Sequence, residues 1–306
     1  MTQPMKEREF TDTSNFFSID YGDIIVVDGK RYRVTGHERE YRFGLEDPKF
    51  WVKRAVDSET GEKKIIKLSF FESFEIHLGG VRISCFRNPE KEGEILELVK
   101  DHPHFMHGKA YRDLMGNNIR VIDPVHGQNF FIYIGSMGMD HETYFFNSLP
   151  DILKKLVKAL EAIRFLHIHG HKHGDIRNDH LIMEQETANY VWIDFDYDYY
   201  TEENPFGLDI IEIGNILLYA IGKGFHTMSM IKGNRALYGD LVSRVEPGDF
   251  SILNKRRFMN LRKLYPYIPV HMNDILAHFS MGAEIFYESM EEILEDLNRC
   301  LYLGFN

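Results

Sequence analysis

The longest periodic pattern of apolar residues lies between Leu149 and His169. Leucine, isoleucine and valine recur there every three or four positions, which predicts an amphipathic helix that buries one face. Ser148, with Pro150 just inside the start, predicts a capped beginning, and Gly170 predicts the end of the helix. Shorter helical patterns follow over residues 209–221, 272–279 and 285–301.

Ahead of this helix, short β-branched runs alternate with polar turns. Residues 51–56 and 64–68 are two such runs, and the polar segment Asp57–Glu62 between them predicts a hairpin. Pro89 and the acidic residues after it predict a helix over Pro89–Lys100. The first ~15 residues are polar, and we expect them to fray. Further strands are predicted over residues 24–27, 32–34, 119–122 and 130–134.

The pattern changes from strands to helices at a short segment with two glycines, Gly135 and Gly138. We therefore expect an α+β protein with a tail and a strand-rich lobe over residues 1–134. A hinge over residues 135–140 would join it to a helical lobe over residues 141–306.

Composition narrows the class of protein. The chain has 306 residues, with 47 acidic against 36 basic side chains and a formal net charge of −11, which argues against a nucleic-acid partner. Two cysteines cannot form a disulfide framework, so a reducing compartment is favoured. The N-terminus lacks the apolar run of a signal peptide, and the longest apolar stretch, residues 210–221, is too short to span a membrane. We expect no membrane partner and a cytoplasmic location.

Acidic residues follow the long helix at two points where a loop meets regular structure. Asp175 ends the loop after the helix, and Asp194 follows a predicted strand, turn and strand over residues 181–193. Because that hairpin reverses the direction of the chain, we expect the carboxylates of Asp175 and Asp194 to lie close together. One can then accept a proton while the other binds a hard cation.

These motifs resemble the protein-kinase superfamily. Leu166–Asp175 is similar to the approach to the catalytic loop, in the His-Gly-Asp form of aminoglycoside and lipopolysaccharide-sugar kinases, and the segment starting at Asp194 resembles the Asp-Phe-Gly metal motif. Val52–Lys67 resembles the second and third kinase strands, and Asp209–Gly214 resembles the start of the central helix of the large lobe. The resemblance implies a two-lobed kinase-like fold, with an antiparallel sheet and one helix in the small lobe and a mainly helical large lobe.

The resemblance also implies a nucleotide and metal site that uses ATP and Mg²⁺, or Mn²⁺ in its place. Lys67 would hold the α- and β-phosphates, and Glu92 would pair with it, because the residues that follow Glu92 place an apolar face on the packing side of the helix. Asp194 would bind the metal. His180 stands where kinases have an asparagine metal ligand, and it is a second candidate ligand.

Four residues around the loop complete the site that the resemblance implies. Asp175 would accept or orient the proton of the attacking hydroxyl, and Arg177 would face the transferring phosphoryl group. His173 would support the fold of the loop, and Asp209 would brace its backbone.

Three departures from the kinase pattern keep alternatives open. The histidine at position 180 leaves four alternatives open: a site with one metal, a substitute ligand at Asn178 or Asp179, a changed metal preference, or an inactive enzyme. The stretch Gly36–Gly44 lacks the glycine spacing of a phosphate-covering loop, so no loop glycine is assigned as a ligand. Only 14 residues separate Asp194 from Asp209, which is typical of small-molecule kinases.

The sequence therefore favours an ATP-dependent phosphotransferase with a hydroxyl acceptor, most like a Ser/Thr protein kinase. The alternatives are a small-molecule kinase of the aminoglycoside or sugar type and a pseudokinase that binds nucleotide without transfer. Adenylylation on the same scaffold is a further alternative. The acceptor would be a protein or a small molecule.

Overall fold

A computed structural model describes residues 7–42, 45–78 and 80–305. The strands are β1 (Glu9–Phe10), β2 (Ile24–Val27), β3 (Lys30–Arg42), β4 (Leu45–Asp57), β5 (Lys63–Lys67), β6 (Ser73–Leu78), β7 (Val81–Arg87), β8 (Gly108–Arg112), β9 (Asn118–Ile122), β10 (Gly127–Asn129), β11 (Leu181–Glu184), β12 (Tyr190–Trp192) and β13 (Tyr197–Tyr200). The α-helices are α1 (Pro89–Leu98), α2 (Phe130–Gly135), α3 (His141–Asn147), α4 (Leu149–Ile168), α5 (Gly207–Gly222), α6 (Met228–Gly233), α7 (Arg235–Tyr238), α8 (Val270–Ala277) and α9 (Met290–Leu303). Internal contacts divide the chain into two units: residues 1–73 with 86–125, and residues 74–85 with 126–306.

The first unit is built on one sheet with the strand order β1-β2-β3-β4-β5-β9-β8. The predicted hairpin between β4 and β5 is confirmed, and Asp57 forms its turn by accepting hydrogen bonds from the backbone N–H groups of Glu59 (2.9 Å) and Thr60 (3.2 Å). Gly61 completes the turn at a φ of +75°, where a side chain would strain the backbone. The apolar face of the sheet forms the core of this unit.

The N-terminal segment is attached to this sheet, and the prediction that it frays is wrong for residues 7–15. β1 pairs in parallel with β2, and the Asp113 carboxylate accepts hydrogen bonds from both the backbone N–H and the hydroxyl of Thr13, each at 2.7 Å. These contacts join residues that are far apart in the sequence, so local composition does not reveal them. Residues 1–6 lie outside the described residues.

Helix α1 begins as the sequence predicts. Pro89 occupies its first turn, and the Asn88 side chain caps it by accepting a hydrogen bond from the backbone N–H of Lys91 at 3.1 Å. Ile95 and Leu96 are fully buried. The cap and the buried apolar side of α1 fix the position of this helix on the sheet. They thereby fix the position of Glu92, which lies in the first turn of the helix.

A hairpin that the sequence analysis missed, β6–β7, precedes α1. Residues 74–85 of this hairpin belong to the second unit, where β13 pairs with β7 to give the strand order β13-β7-β6. Ile83, Cys85 and Tyr199 pack together in a small apolar cluster. The segment that starts at Asp196 is rich in acidic and tyrosine residues, a composition typical of a solvated loop. Pairing with β7 instead makes part of the segment a strand, and both Asp196 and Tyr199 are buried.

The rest of the second unit is mainly helical and centred on α4, as predicted. Its apolar face is buried, and the indole N–H of Trp192 donates to the carbonyl of Ala159 at 2.8 Å, which joins the β11–β12 hairpin to the helix. The predicted cap at Ser148 is wrong. Its side chain makes no capping hydrogen bond, because Ser148 has helical backbone angles and its N–H already closes α3 on the carbonyl of Tyr144.

The predicted strand over residues 130–134 is a helix, α2. Phe130 and Ile134 are fully buried while Ile132 is half exposed, so burial follows the period of a helix and not the alternation of a strand. The Asn129 side chain starts the helix by accepting a hydrogen bond from the backbone N–H of Ile132 at 2.8 Å. The boundary between the two units falls at residues 125/126, ahead of the segment 135–140 that was expected to be a hinge.

The last helix, α9, is shorter than the sequence suggests. Ser289 caps it, so it starts at Met290 and not at Ile285 as the pattern predicted. Ile285 and Phe286 precede the helix and are exposed. Across the described residues, no helix combines the length and the apolar character needed to cross a membrane.

Candidate active site

Lys67 and Glu92 form a buried ion pair in the first unit. Lys67 Nζ lies 2.7 Å from Glu92 Oε1, so the pairing inferred from the sequence is formed. The other carboxylate oxygen of Glu92 accepts a hydrogen bond from Arg120 Nε at 3.0 Å. Lys67 and Arg120 are register partners on β5 and β9, and all three side chains are buried. One carboxylate thus holds two cations, and each of its oxygens is committed to one of them.

Helix α1 carries Glu92 and is fastened to the sheet on both sides of it. Glu90 accepts hydrogen bonds from both terminal nitrogens of Arg112, at 3.1 and 2.6 Å, and one from the Asn118 amide at 3.1 Å. A Cβ added at Gly93 would lie 2.9 Å from the Cβ of Ala110, so glycine permits the close approach of helix and sheet. The contacts of Glu90 and the close approach at Gly93 therefore help to fix the position of Glu92, in addition to its own ion pairs.

Asp209 braces the predicted catalytic loop of the second unit. Its Oδ2 accepts hydrogen bonds from the backbone N–H of His173 at 2.7 Å and from the His167 ring at 3.0 Å, and its Oδ1 accepts from the N–H of Gly174 at 2.9 Å. Burial alone would raise the pKa of Asp209, but these donors hold the pKa below its ordinary value. The carboxylate therefore stays charged and fixes the loop backbone immediately before Asp175.

His173 is fully buried, and its Nδ1 accepts a hydrogen bond from the backbone N–H of Asp175 at 3.3 Å. Its ring packs edge-on against Trp192 and Phe195. The imidazole therefore ties the loop to the hairpin that leads to Asp194.

Asp175 itself lies in a largely buried, acidic environment. Burial raises its pKa, and the charges of Asp194 and Asp196 raise it further, although His180 and Arg177 act in the opposite direction. A carboxylate of raised pKa is a stronger proton acceptor than a solvated one. The environment therefore suits Asp175 to the role of a base.

Asp194 and His180 complete the cluster in the second unit. His180 Nδ1 lies 3.4 Å from Asp175 Oδ2, and His180 Nε2 lies 3.5 Å from Asp194 Oδ2, so one imidazole stands between the two carboxylates. Carboxylate oxygens of Asp194 and Asp196 lie within 4.8 Å of each other. Asp194 has a φ of +65°, a left-handed conformation that non-glycine residues rarely adopt and that is concentrated at functional sites.

Arg177 lies two residues after Asp175 and is half exposed. Its guanidinium forms a two-point ion pair with Asp179, at 3.0 and 2.7 Å. Arg177 also lies close enough to Asp175 to oppose the rise in its pKa.

Sequence reasoning missed two charged residues beside the predicted ones, the buried Arg120 and the partly buried Glu212. Arg120 interrupts the apolar run of β9, and a charged residue inside a strand buried throughout was a signal that it has a partner. Glu212, one turn after Asp209, accepts a hydrogen bond from the backbone N–H of Ile176 at 2.9 Å. Burial, followed by the charges of Asp175 and Asp209, raises the pKa of Glu212 well above that of an ordinary glutamate. The chain thus adds a second carboxyl behind the loop.

Residues 36–42 and 45–50 belong to the paired strands β3 and β4, with a register irregularity at Gly36. Gly44 lies outside the described residues. The chain holds a fixed ammonium in one unit and, in the other, carboxylates around one imidazole. An ammonium can bind phosphate, and carboxylates can bind a divalent cation and accept a proton.

No protein-family model matches the sequence, and no curated protein matches it. Among solved structures, the chain is similar to a mutant of the Mycobacterium tuberculosis PknI kinase domain, with a TM-score of 0.50 and 11% sequence identity. The similarity covers 92% of this chain and 98% of that domain. The two-lobed α+β architecture that the motifs implied is therefore confirmed: the chain has a protein-kinase-like fold.

Proposed function

We propose that the protein is an ATP-dependent phosphotransferase that moves the γ-phosphate to a hydroxyl acceptor. The observation that carries the proposal is the convergence of Asp175 and Asp194 on the two ring nitrogens of His180, at 3.4 and 3.5 Å. Phosphoryl transfer needs a proton acceptor and a metal-binding carboxylate held close together, and these two residues fulfil that requirement.

In the first unit, we assign phosphate binding to Lys67. Glu92 orients the ammonium at 2.7 Å, and Arg120 holds the second oxygen of Glu92, so Lys67 occupies one position before any nucleotide binds. A cation fixed in advance stabilises phosphate charge without reorganising during the reaction.

In the second unit, we assign metal binding to Asp194, with Asp196 and His180 beside it. Two carboxylates and an imidazole are a donor set that fits a divalent cation. Such a cation, when bound, neutralises phosphate charge. Asp175 takes the proton of the attacking hydroxyl, on a loop whose backbone Asp209 keeps in place. Arg177 is our candidate for the cation that faces the phosphoryl group, a role that requires it to leave Asp179.

We propose a Ser or Thr hydroxyl of a protein as the acceptor, with a small-molecule hydroxyl as the alternative. The net charge of −11 favours a basic acceptor over an acidic one. The two free, buried cysteines, Cys85 and Cys300, suit a reducing compartment, so we propose that the protein acts in the cytoplasm.

One observation favours a second candidate function, that of a module which binds nucleotide without transfer. His180 replaces the asparagine that kinases use as a metal ligand, and imidazole is a poor ligand for Mg²⁺. A thermal-shift titration with ATP and either Mg²⁺ or Mn²⁺ measures binding alone, since a ligand at 100 times its Kd adds about 2.7 kcal/mol to the free energy of unfolding.

The transfer reaction is tested with ATP labelled either in the γ- or in the α-phosphate, incubated with Mg²⁺ or Mn²⁺. The acceptors are a basic Ser/Thr peptide library and a panel of aminoglycosides. Label from γ-ATP on an acceptor supports the proposal and identifies the acceptor class. Label from α-ATP, with release of pyrophosphate, indicates adenylylation instead.

The matched variants are Asp175→Asn and Asp151→Asn. Asp175→Asn removes the proton acceptor and is expected to abolish transfer while nucleotide binding persists. Asp151 is an exposed aspartate in the first turn of α4, paired only at the surface with Lys154, so its amide variant is expected to retain full turnover. Full turnover by Asp175→Asn would contradict the proposed role, and nucleotide binding without any transfer would favour the second function.

A further inference from the structure

The ring of His180 has a defined tautomer. Its Nδ1 lies 2.9 Å from the backbone carbonyl oxygen of Asp175. A carbonyl oxygen only accepts hydrogen bonds, so Nδ1 must carry a proton and donate it. In the neutral imidazole the other nitrogen, Nε2, therefore presents a lone pair. A metal-binding histidine is typically oriented in this way, with one ring N–H on a backbone carbonyl and the other nitrogen free to ligate.

The lone pair of Nε2 is directed toward a carboxylate. Asp194 Oδ2 lies 3.5 Å away and also offers only lone pairs when ionised. Two acceptors at this distance repel each other unless a cation stands between them, either a proton on Nε2 or a metal ion bound to both atoms. His180 and Asp194 are both mostly buried, at 10% and 18% side-chain exposure, so water screens the contact poorly.

The surrounding charges favour a divalent ion over a proton. Asp175 Oδ2 lies 3.4 Å from Nδ1, and an oxygen of Asp196 lies within 4.8 Å of one of Asp194, so two carboxylates flank the imidazole and a third lies beside Asp194. A proton on Nε2 compensates one negative charge, whereas a divalent cation compensates two and accepts the lone pair as a ligand.

We propose that His180 Nε2 and Asp194 Oδ2 are ligands of one divalent cation, and that the nitrogen ligand makes this site select Mn²⁺ over Mg²⁺. This inference rests on the proposed function, since it names the cation that the same site takes. Mg²⁺ demands oxygen ligands and gives up its water reluctantly, while a mixed set of imidazole and carboxylate suits a first-row transition metal. Mn²⁺ is the member of that series closest to Mg²⁺ in its preference for carboxylates.

The test measures binding without turnover. The 306-residue chain is titrated with MnCl₂ in the presence of a non-hydrolysable ATP analogue with a methylene bridge, and free Mn²⁺ is followed by electron paramagnetic resonance. Competition with MgCl₂ gives the ratio of the two affinities. Electron spin-echo modulation of the bound Mn²⁺ then reports whether a nitrogen is coordinated, and protein labelled with [¹⁵N]histidine assigns that nitrogen to imidazole.

We expect imidazole coupling in the wild-type protein and its loss in His180→Asn. That variant supplies an amide oxygen, so its preference for Mn²⁺ over Mg²⁺ should fall about tenfold or more. His169→Asn is the matched control, because His169 is an exposed histidine at the end of α4 that contacts only its own helix, and it should keep both signals.

The absence of imidazole coupling in wild-type protein with Mn²⁺ bound would overturn the inference, and this measurement does not depend on whether a variant folds. A failure to bind Mn²⁺ at millimolar concentration, or equal ratios for wild type and His180→Asn, would overturn it as well. Imidazole coupling without any transfer of phosphate would contradict the proposed function and leave the metal assignment standing.

Discussion

Two buried lysines on adjacent strands of the first unit point to opposite faces of the sheet. Lys53 pairs in register with Ile66, and Lys67 pairs with Val52, so the alternation of side chains sends the two ammonium groups in opposite directions. Lys53 donates to two backbone carbonyls, of Phe16 at 2.9 Å and Ile19 at 2.6 Å, whereas Lys67 meets the carboxylate of Glu92.

The partners of each lysine decide what it can do. Neutral carbonyls do not compensate a buried charge fully, and burial lowers the pKa of Lys53 to about 8, despite the opposing charges of Asp20 and Asp23. Lys53 thereby joins the N-terminal segment to the sheet. Lys67 instead pairs with a carboxylate of opposite charge, which fixes the orientation of its ammonium group. Two lysines of similar burial thus divide into a structural residue and a candidate site residue.

The largest expected effect that separates the two lysines is on turnover. Lys67→Met should lower kcat/KM for phosphate transfer on the order of 100-fold to 1,000-fold, because it removes a preorganised cation. The fold should persist, since Arg120 still compensates Glu92. Steady-state kinetics with labelled ATP measure the loss, and Lys53→Met is the matched control. If Lys53→Met lost turnover to the same extent as Lys67→Met, the distinction between the faces would be wrong.

Stability should respond to the opposite lysine. At pH 9, Lys53→Met should lower the free energy of unfolding by about 2 kcal/mol, because the carbonyls of Phe16 and Ile19 lose their donor inside the protein. Urea denaturation measures the change, and hydrogen exchange should show that protection is lost first in residues 16–25. Turnover per folded molecule should stay at the wild-type value, and a variant as stable as the wild type would refute the structural role.

Changing Arg120, the register partner of Lys67, tests the same face of the sheet in a second way. Arg120→Met should raise KM for ATP about tenfold, or 1.4 kcal/mol, because Glu92 loses one of its two partners and orients Lys67 less firmly. Arg120→Lys restores a cation and should recover part of the loss. A role in folding alone would instead change stability and leave KM untouched.

The smallest expected effect is a dependence of stability on pH. The pKa of Lys53 is depressed to about 8 in the folded state and is close to 10.5 when the chain is unfolded. Between these values the unfolded chain binds more protons, so stability rises with pH there, and the full cost of the buried charge applies below about 8. The stability difference between wild type and Lys53→Met should therefore increase by about 1 kcal/mol from pH 8 to pH 9. A flat difference would indicate that Lys53 is not desolvated.

The sequence revealed one lysine of this pair and concealed the other. Lys67 was predicted because the segment Val52–Lys67 resembles the second and third kinase strands, and Glu92 follows on the helix that starts at Pro89. Lys53 stands next to Arg54 on β4 and, from the sequence, resembles a solvated surface lysine. Residues 16–19, more than 30 positions away, are what bury it. A contact of that sequence separation leaves no trace in local periodicity.

The same limit explains the other differences between prediction and structure. The loop around Asp175 and the β11–β12 hairpin were predicted because their signals are local. The burial of Asp196 was missed because the segment that begins there pairs with β7, a strand far earlier in the chain. The brace by Asp209 was predicted only through the resemblance to kinases, since the backbone N–H groups that it binds carry no sequence signature of their own. The β6–β7 hairpin had a local signal, two consecutive glycines between alternating apolar residues, and it was missed.

That hairpin has a consequence for the synthesis of the chain. β7 leaves the ribosome about 110 residues before β13, the strand it pairs with. At a synthesis rate of ~5–20 residues per second, roughly 5 to 20 seconds pass before β13 is made. During that time one edge of β7 has no strand to pair with. An exposed strand edge is a template for pairing with other chains, so during this interval the nascent protein can associate with other chains through β7.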